Sequence, residues 1–415
     1  MTRHTDVAII GGGQAGLAMS RRLALAGVDH LILERGRIGE RWRSERWPSL
    51  RLLTPNWMTR LPDLAARFPD PDGFMPASAF TGLLEGYAAQ HRAPILTERE
   101  VIAVRLAPRG FEIATTAGAL MARAVVVATG ACDRPNVPAW ARALSPRITQ
   151  ITTDRYAGPD ALDPGGVLVV GASATGVQLA REIHASGRSV TLAVGRHVRT
   201  PRRYRGRDIY AWMDASGFLT DPRGDLPAAR LRSQPSFQLV GDAQGRSLGL
   251  HELAAEGVRI VGRAQGAAGE TVFLADDLPD QCAAAEARRR KVLRRIDDFI
   301  VQSRLATAEE PEAWAAPPEL PAAATAIRLG SSGIRTVLWA TGYRRSYPWL
   351  HIPVLDEAGE IRNEGGLTPV PGLYVLGLPF MRHRASALID GVGRDAVQLS
   401  HAIVRDLAGR LPAAA

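Results

Sequence analysis

Two short stretches of this 415-residue chain have the residue types and spacing to hold a dinucleotide. The first is DVAIIGGGQAGLAMSRRLALAG, residues 6–27, with Gly11, Gly13 and Gly16 in GxGxxG spacing. In such a loop the first glycine makes the tight turn out of the strand. The second lets a pyrophosphate approach the backbone, and the third lets the following helix pack close to the strand. Gln14 and Ala15 open that helix, whose free N–H groups and partial positive charge suit phosphates. The next apolar strand, HLILE, ends in Glu34, followed by Arg35. A carboxylate at this distance can bond ribose hydroxyls, which suits an unphosphorylated ribose, as in FAD or NAD.

The second stretch is GGVLVVGASATGVQLARE, residues 165–182, where Gly171, Ser173 and Gly176 repeat the spacing and Thr175 lies in the first helical turn. Serine is the smallest replacement that keeps backbone and phosphate close, and its hydroxyl can donate a hydrogen bond. No acid ends the following strand, SVTLAVG. Arg196, His197 and Arg199 come instead, with Arg202 and Arg203 beyond. A cation at the ribose end fits a 2′-phosphate, so this loop reads as an NADPH site; the competing reading is a solvated arginine loop. A flavin on the first loop and a nicotinamide on the second would pass a hydride between them.

Such loops need parallel strands behind them and a route between them. AVVVATGACDRPNVP ends an apolar strand in Ala128-Thr129-Gly130, and RTVLWATGYRRSYPWL ends another in Ala340-Thr341-Gly342. One joint precedes the second glycine loop and the other follows it, where a chain would leave one domain and return. The fold class expected is α/β, with two dinucleotide-binding Rossmann-like domains, the NADPH domain inserted into the FAD domain. The segments are 1–145 and 325–415 for FAD, and 146–324 for NADPH, each sheet parallel with helices on both faces. Residues 202–250 read as irregular and rich in Arg, Pro and Gly. Their aromatics Tyr204, Tyr210, Trp212, Phe218 and Phe237 suit a lid or an oligomer contact. Residues 283–303 read as a helix with Val292, Leu293, Ile296, Phe299 and Ile300 on one stripe, better suited to core or a subunit contact than to substrate. Residues 309–326 read as a linker.

Composition narrows the class. The net charge is +9, but Lys291 is the sole lysine and the arginines are spread along the chain. That pattern, with abundant Ala, Gly and Pro, argues for biased coding rather than a nucleic-acid partner. No long apolar run or leader is evident, so a cytoplasmic protein with no membrane partner is expected. Cys132 and Cys282 form no CxxC, which argues against dithiol chemistry. The histidines show no metal-ligand spacing, and His383, between Arg382 and Arg384, is expected at the surface.

Together these motifs resemble the class B flavin-dependent monooxygenases: the flavin-containing monooxygenases, their plant YUCCA relatives and similar bacterial flavoproteins. The resemblance covers nearly the whole chain. IGERWRS looks like the family's GGxW segment, with Gly39 and Trp42 kept and Glu40 at the second glycine. SLRLLTPNWMTRLP lines up with the segment passing the flavin ring, and PGLYVLGLPFMRHRASALIDGVGRDA with the strand and helix that close the flavin site. The resemblance implies FAD, NADPH, O2 and a small organic substrate, with one oxygen atom inserted at nitrogen, sulfur or a carbonyl. The cofactor-binding residues expected are Gly11, Gly13, Gln14, Ala15, Gly16, Glu34, Arg35, Trp42, Gly130, Gly171, Ser173, Thr175, Gly176, Arg196, Thr341 and Gly342. The family's FxGxxxHxxxY fingerprint is lost, however. In PRITQITTDRY, Pro146, Ile148 and Thr152 replace the Phe, Gly and His, and Tyr156 ends it. Leu53 stands where many relatives have a polar residue, and Asn56, three residues on, is the catalytic candidate to replace it; its alternative is a turn role after Pro55. Two further functions stay open: an NADPH-dependent flavin oxidase or reductase without oxygen insertion, and a flavoprotein with a binding or redox-sensing role. A homodimer stays open as well.

Overall fold

The apolar runs Val7–Ile10, Leu31–Leu33 and Val125–Val127 are buried on both faces, as the strands of a covered parallel sheet must be. In this computed structural model, which describes residues 3–222, 234–320 and 324–409, strand Arg3–Ile10 lies between strands His30–Leu33 and Gly118–Val127, parallel to both. Ile95–Leu96 extends that sheet beyond His30–Leu33, and Leu373–Val375 pairs in parallel with the end of Gly118–Val127. Helices Gln14–Leu25 and Ile389–Gly409 pack together on this sheet. The sheet is mixed rather than wholly parallel. The start of Gly118–Val127 runs antiparallel to Gly110–Thr115, which runs antiparallel to Val101–Ala107. Short turns join these strands, and such turns permit only antiparallel neighbours.

A second sheet has the order Arg259–Val261, Val190–Ala193, Gly166–Val170, Ile334–Trp339, Thr149–Thr152, all parallel. Its residues alternate between two cores, as period-two side chains require. Val167, Val169 and Leu192 face a cluster with Val177, Leu179, Ala180 and Ile183 of helix Ala174–Ala185. Leu168, Val170 and Trp339 face one with Val272, Leu274 and Ile327. The latter three belong to a three-stranded antiparallel sheet, Ala264–Ala268, Thr271–Leu274 and Ala326–Arg328. The expectation of helices on both faces is therefore corrected here: one face carries a small sheet.

Ile334–Trp339 is an interior strand of the second sheet, between Gly166–Val170 and Thr149–Thr152, so that sheet takes in residues past 324. Sheet pairing puts the return at the Ala340–Gly342 joint, where the strand ends, rather than at 325. The two joints lie side by side, with Tyr343 and Arg344 paired antiparallel to Pro135 and Arg134.

The expected irregular region 202–250 holds a fourth, small core. Tyr204, Trp212, Met213 and Leu239 are buried with Val292, Leu293, Ile296 and Ile300 of the long helix Leu278–Gln302. The aromatics at 204, 210 and 212 are thus packing residues rather than an exposed lid, and the helical stripe is core as expected. Residues 223–233 of that region, and residues 321–323 of the expected linker, lie outside the described residues. Before them Pro311–Trp314 forms a short 3-10 helix, and Trp314 Nε1 donates to Tyr204 Oη at 3.1 Å, which anchors the linker on the small core.

Candidate functional site: two glycine loops on one seam

Each glycine loop is built by backbone contacts that a side chain would block. Gly11 has φ +111°, and a Cβ there would sit 2.6 Å from the Ala128 carbonyl oxygen of the first joint. Gly171 has φ +107° and presses in the same way on Ala340 of the second joint. Gly16 and Gly176 press on the carbonyls of Gly11 and Gly171, well inside van der Waals contact for any Cβ. Both are therefore glycines for helix–strand packing. Gly13 differs: a Cβ there meets nothing within 4 Å. The protein leaves that space open on the outer side of the turn.

Gly13 and Ser173 are the N-caps of helices Gln14–Leu25 and Ala174–Ala185, and neither helix has a side-chain cap. The first-turn N–H groups therefore remain available to an anion. The Ser173 hydroxyl is not spent on its own helix, and Thr175 is half-buried in the first turn. The open Gly13 position together with uncapped helix ends fits a pyrophosphate at both loops.

Glu34 is buried at the end of its strand. Its Oε2 accepts from Gly12 N–H at 2.6 Å and its Oε1 from Gly36 N–H at 2.9 Å. Each oxygen keeps a lone pair for a ribose hydroxyl. Arg35 points outward in an ion pair with Glu45 at 2.8 Å. The GERW segment docks directly on the loop: Gly39, at φ +67°, caps the short helix Glu40–Ser44, and its N–H donates to Gly12 O at 3.2 Å. Trp42 Nε1 reaches Gln14 Oε1 at 3.3 Å, and its ring meets Phe80 edge-on at 5.0 Å. Ala15 is buried beside this contact.

The seam is held by residues that local sequence patterns did not single out. Arg41 bonds the Cys132 carbonyl and pairs with Asp133, just past the first joint. The Arg46 guanidinium lies 5.6 Å from both the Trp42 and the Tyr343 rings. Thr341 Oγ1 donates to Asn136 O at 2.6 Å, and Asn136 N–H donates to Gly342 O at 2.8 Å. Gly130 and Gly342 have φ +77° and +82° with open space at their Cβ positions.

The cations after the second-domain strand separate into distinct environments. Arg196 is exposed, with no ion pair or side-chain hydrogen bond to the described residues. Arg199 pairs with Glu286 at 3.4 Å. Glu286 also pairs with Arg289 and Arg290, and these guanidinium bonds hold its carboxyl down at about 2 against the opposing effect of burial. Arg202 is fully buried. His197 is buried with Nδ1 3.0 Å from Gly195 O, and burial lowers its pKa. Of the expected cations, Arg196, Arg199 and Arg203 reach the surface, while Arg202 and His197 are buried.

Asn56 lies in a 3-10 turn with both ends of its amide engaged. Nδ2 donates to Asp70 O at 2.9 Å, and Oδ1 accepts from Met75 N–H at 2.9 Å. These contacts match the turn alternative, and each end of the amide keeps one further hydrogen-bonding site. An open groove of about 430 Å³ runs beside it, lined by Trp57, Thr59, Leu61, Leu64 and Phe68, with no residue from either glycine loop. In the degenerate fingerprint, Ile148 is core, Thr152 pairs with Trp339 in the second sheet, and Tyr156 is buried against Glu182 at 3.3 Å. His383 is not at the surface. Its side chain is 13% exposed, and Nε2 lies 3.1 Å from Asp395, which is 1% exposed. No residue pattern near His383 announces Asp395, which arrives from the C-terminal helix. Among the described residues no cluster of His, Cys, Asp and Glu forms a metal site, and no helix is long and apolar enough to cross a membrane.

Residues 8–213 match the family model for pyridine nucleotide-disulphide oxidoreductases. The chain is 32% identical to an uncharacterized CzcO-like oxidoreductase of Geobacillus kaustophilus, over 97% of this chain and 99% of that one. It is 29% identical to an indole-3-pyruvate monooxygenase, YUCCA4, of Oryza sativa over 42% of this chain and 44% of the relative. In fold it is similar to a flavin-containing monooxygenase from Stenotrophomonas maltophilia, with a TM-score of 0.66 at 18% identity, covering 97% of this chain and 99% of the other.

Proposed function

The chain belongs to the CzcO-like oxidoreductases, within the class B flavin monooxygenase-like flavoproteins, and from that premise we propose that it inserts one oxygen atom of O2 into a small organic substrate at the expense of NADPH. Its cofactors are FAD and NADPH. The observation that carries the reading is the seam. Two glycine loops each press on one of two joints, and the joints are hydrogen-bonded to one another. One cofactor at each loop would therefore converge on one place. A flavin held at the Gly11–Gly16 loop would supply a hydride acceptor for a nicotinamide held at the Gly171–Gly176 loop and, in its reduced form, reactivity toward O2.

The chain's own residues bind and orient. In this proposal the N–H groups at Gly13, Gln14 and Ala15 receive the FAD pyrophosphate, Gly12 and Gly36 hold Glu34 turned to the ribose, and Trp42 closes over the loop. Ser173, Thr175 and the helix behind them receive the second pyrophosphate, and Arg196 meets the 2′-phosphate. Gly130 and Gly342 leave the seam open where the cofactors meet, with Thr341 and Arg41 fixing the joints. The residues at Thr152 and Leu53 supply no cation or amide at the seam, so exclusion of water rests on packing.

Dithiol chemistry is not favoured, because Cys132 is at the first joint and Cys282 in the long helix, both as free thiols. The deciding experiment supplies NADPH and ¹⁸O2 with a panel of amines, sulfides and ketones. It measures label in the product and hydrogen peroxide per NADPH. Labelled product with a falling peroxide yield is expected. Peroxide equal to NADPH consumed with every panel member would establish the oxidase reading instead.

A further inference from the structure

Arg202 was a candidate for the nucleotide phosphate, and its surroundings assign it elsewhere. It is 1% exposed. Nη2 lies 2.5 Å from Asp208 Oδ1, while Nη1 donates to Leu53 O at 2.8 Å and to Val240 O at 3.5 Å. The guanidinium also lies 4.8 Å from the Phe74 ring and 5.4 Å from the Tyr210 ring. One planar cation thus joins three separate segments: its own insertion, the 238–240 strand region, and the Leu53 segment of the first domain.

The middle segment continues to the second glycine loop. Gln238, 1% exposed, donates from Nε2 to Ala172 O at 2.6 Å, between Gly171 and Ser173. Gln178, in the helix behind that loop, donates to Leu239 O at 3.4 Å. Gly241 lies so close to the first domain that a Cβ would be 2.5 Å from Leu52 O and 2.9 Å from Phe74 Cβ. Two sets of polar contacts, Gln238 to Ala172 and Arg202 to Val240 and Leu53, are therefore joined by the short backbone stretch from Gln238 to Val240.

We infer that Arg202 is a positioning residue that holds the flavin-side segment 52–56 in register with the second glycine loop, so that the two dinucleotides keep the separation that hydride transfer needs. The inference rests on the reading of the two loops as FAD and NADPH sites. Hydride transfer is steep in distance and angle, and a misplacement of about 1 Å costs up to ~100-fold. Without the guanidinium, the carbonyls of Leu53 and Val240 lose this donor, Asp208 keeps only the Tyr210 N–H, and the segment shifts to find other partners.

The test uses full-length protein with FAD bound, as wild type and as Arg202→Met, Arg202→Lys and Gln238→Leu. Stopped-flow flavin reduction by NADPH and by NADH is measured, together with amide hydrogen exchange over residues 50–58. Arg202→Met is expected to lower the limiting reduction rate about tenfold or more with both nucleotides, to leave the NADPH:NADH ratio of dissociation constants unchanged, and to speed exchange at 52–58. Arg202→Lys keeps the charge and part of the fork, and recovers part of both losses. Gln238→Leu, at the other end of that stretch, lowers the rate without touching the cation. Should Arg202→Met fail to accumulate, the lysine and Gln238 variants carry the same readouts, and wild-type rate and exchange in both overturn the inference. A collapse of NADPH preference in Arg202→Met also overturns it, by returning Arg202 to the phosphate. A protein that takes up no FAD, or whose FAD neither nucleotide reduces, overturns the cofactor reading instead. Exchange at 52–58, measured on protein as purified, then still decides the clamp.

Discussion

Gly13→Val separates crowding of a ligand from crowding of the protein. The Gly13 backbone has φ −88° and ψ −171°, an extended conformation that any residue adopts, and a Cβ there meets no atom within 4 Å. The folded protein should therefore accept the larger side chain, with stability within about 1 kcal/mol of wild type, because the gain of roughly 0.4–1 kcal/mol through the unfolded chain is offset by valine's poor fit at the helix N-cap. A bound pyrophosphate would occupy the space that the new methyl groups fill. Overpacking costs roughly 1–3 kcal/mol, which is about 5- to 150-fold in affinity at ~1.4 kcal/mol per decade. Gly16→Ala is the control, because its Cβ would overlap the Gly11 carbonyl and must move backbone. The assay is thermal unfolding of the FAD-free protein beside equilibrium titration with FAD. Gly13→Val should unfold like wild type and bind FAD at least about fivefold more weakly, while Gly16→Ala should lose stability with or without FAD. Wild-type FAD affinity in Gly13→Val would refute the placement of the pyrophosphate. An FAD-free melting temperature that falls as far as that of Gly16→Ala would refute the claim of open space.

Arg196→Ala should weaken NADPH by about ten- to a hundredfold and leave NADH unchanged, from the loss of one charge-assisted bond of roughly 1.5–3 kcal/mol; equal efficiency of NADPH and NADH in the wild type would refute the 2′-phosphate assignment. Asn56→Ala removes two hydrogen bonds that hold the 70–75 loop, so it should lower unfolding stability by about 1–3 kcal/mol, as read by urea denaturation. An unchanged stability with a raised peroxide yield would return Asn56 to the catalytic centre. His30 and His197 are buried, and burial lowers the pKa of each below the ordinary value, so the native state binds protons less readily than the unfolded chain. Their contribution to stability is complete above the unfolded value of about 6.5 and is lost as pH falls through the lowered native value. Thermal unfolding should therefore weaken between about pH 7 and pH 5, and His197→Gln should flatten that slope if His197 carries it.

What the sequence by itself determined is what contiguous residues determine. The strand, the glycine turn, the helix start and Glu34 occupy one stretch of chain, and Gly11 and Gly16 answer contacts made within the loop or with the strand beside it. The two joints were legible for the same reason: each is an apolar strand that runs into a glycine turn. Tertiary structure decided everything that depends on a distant partner. Arg196 and Arg202 look alike along the chain. One is exposed, and the other is buried because Leu53, 149 residues away in sequence, offers it a carbonyl. His383 was expected in solvent and is covered because the C-terminal helix brings Asp395 to it. Ile334–Trp339 reads as an apolar strand in either domain. Its place in the second sheet follows from pairing with Gly166–Val170 and Thr149–Thr152, a hydrogen-bond choice that no pattern within six residues encodes. The aromatics of the small fourth core likewise have no period to mark them as buried, because they come from short turns and one helix and meet only when the long helix closes over them.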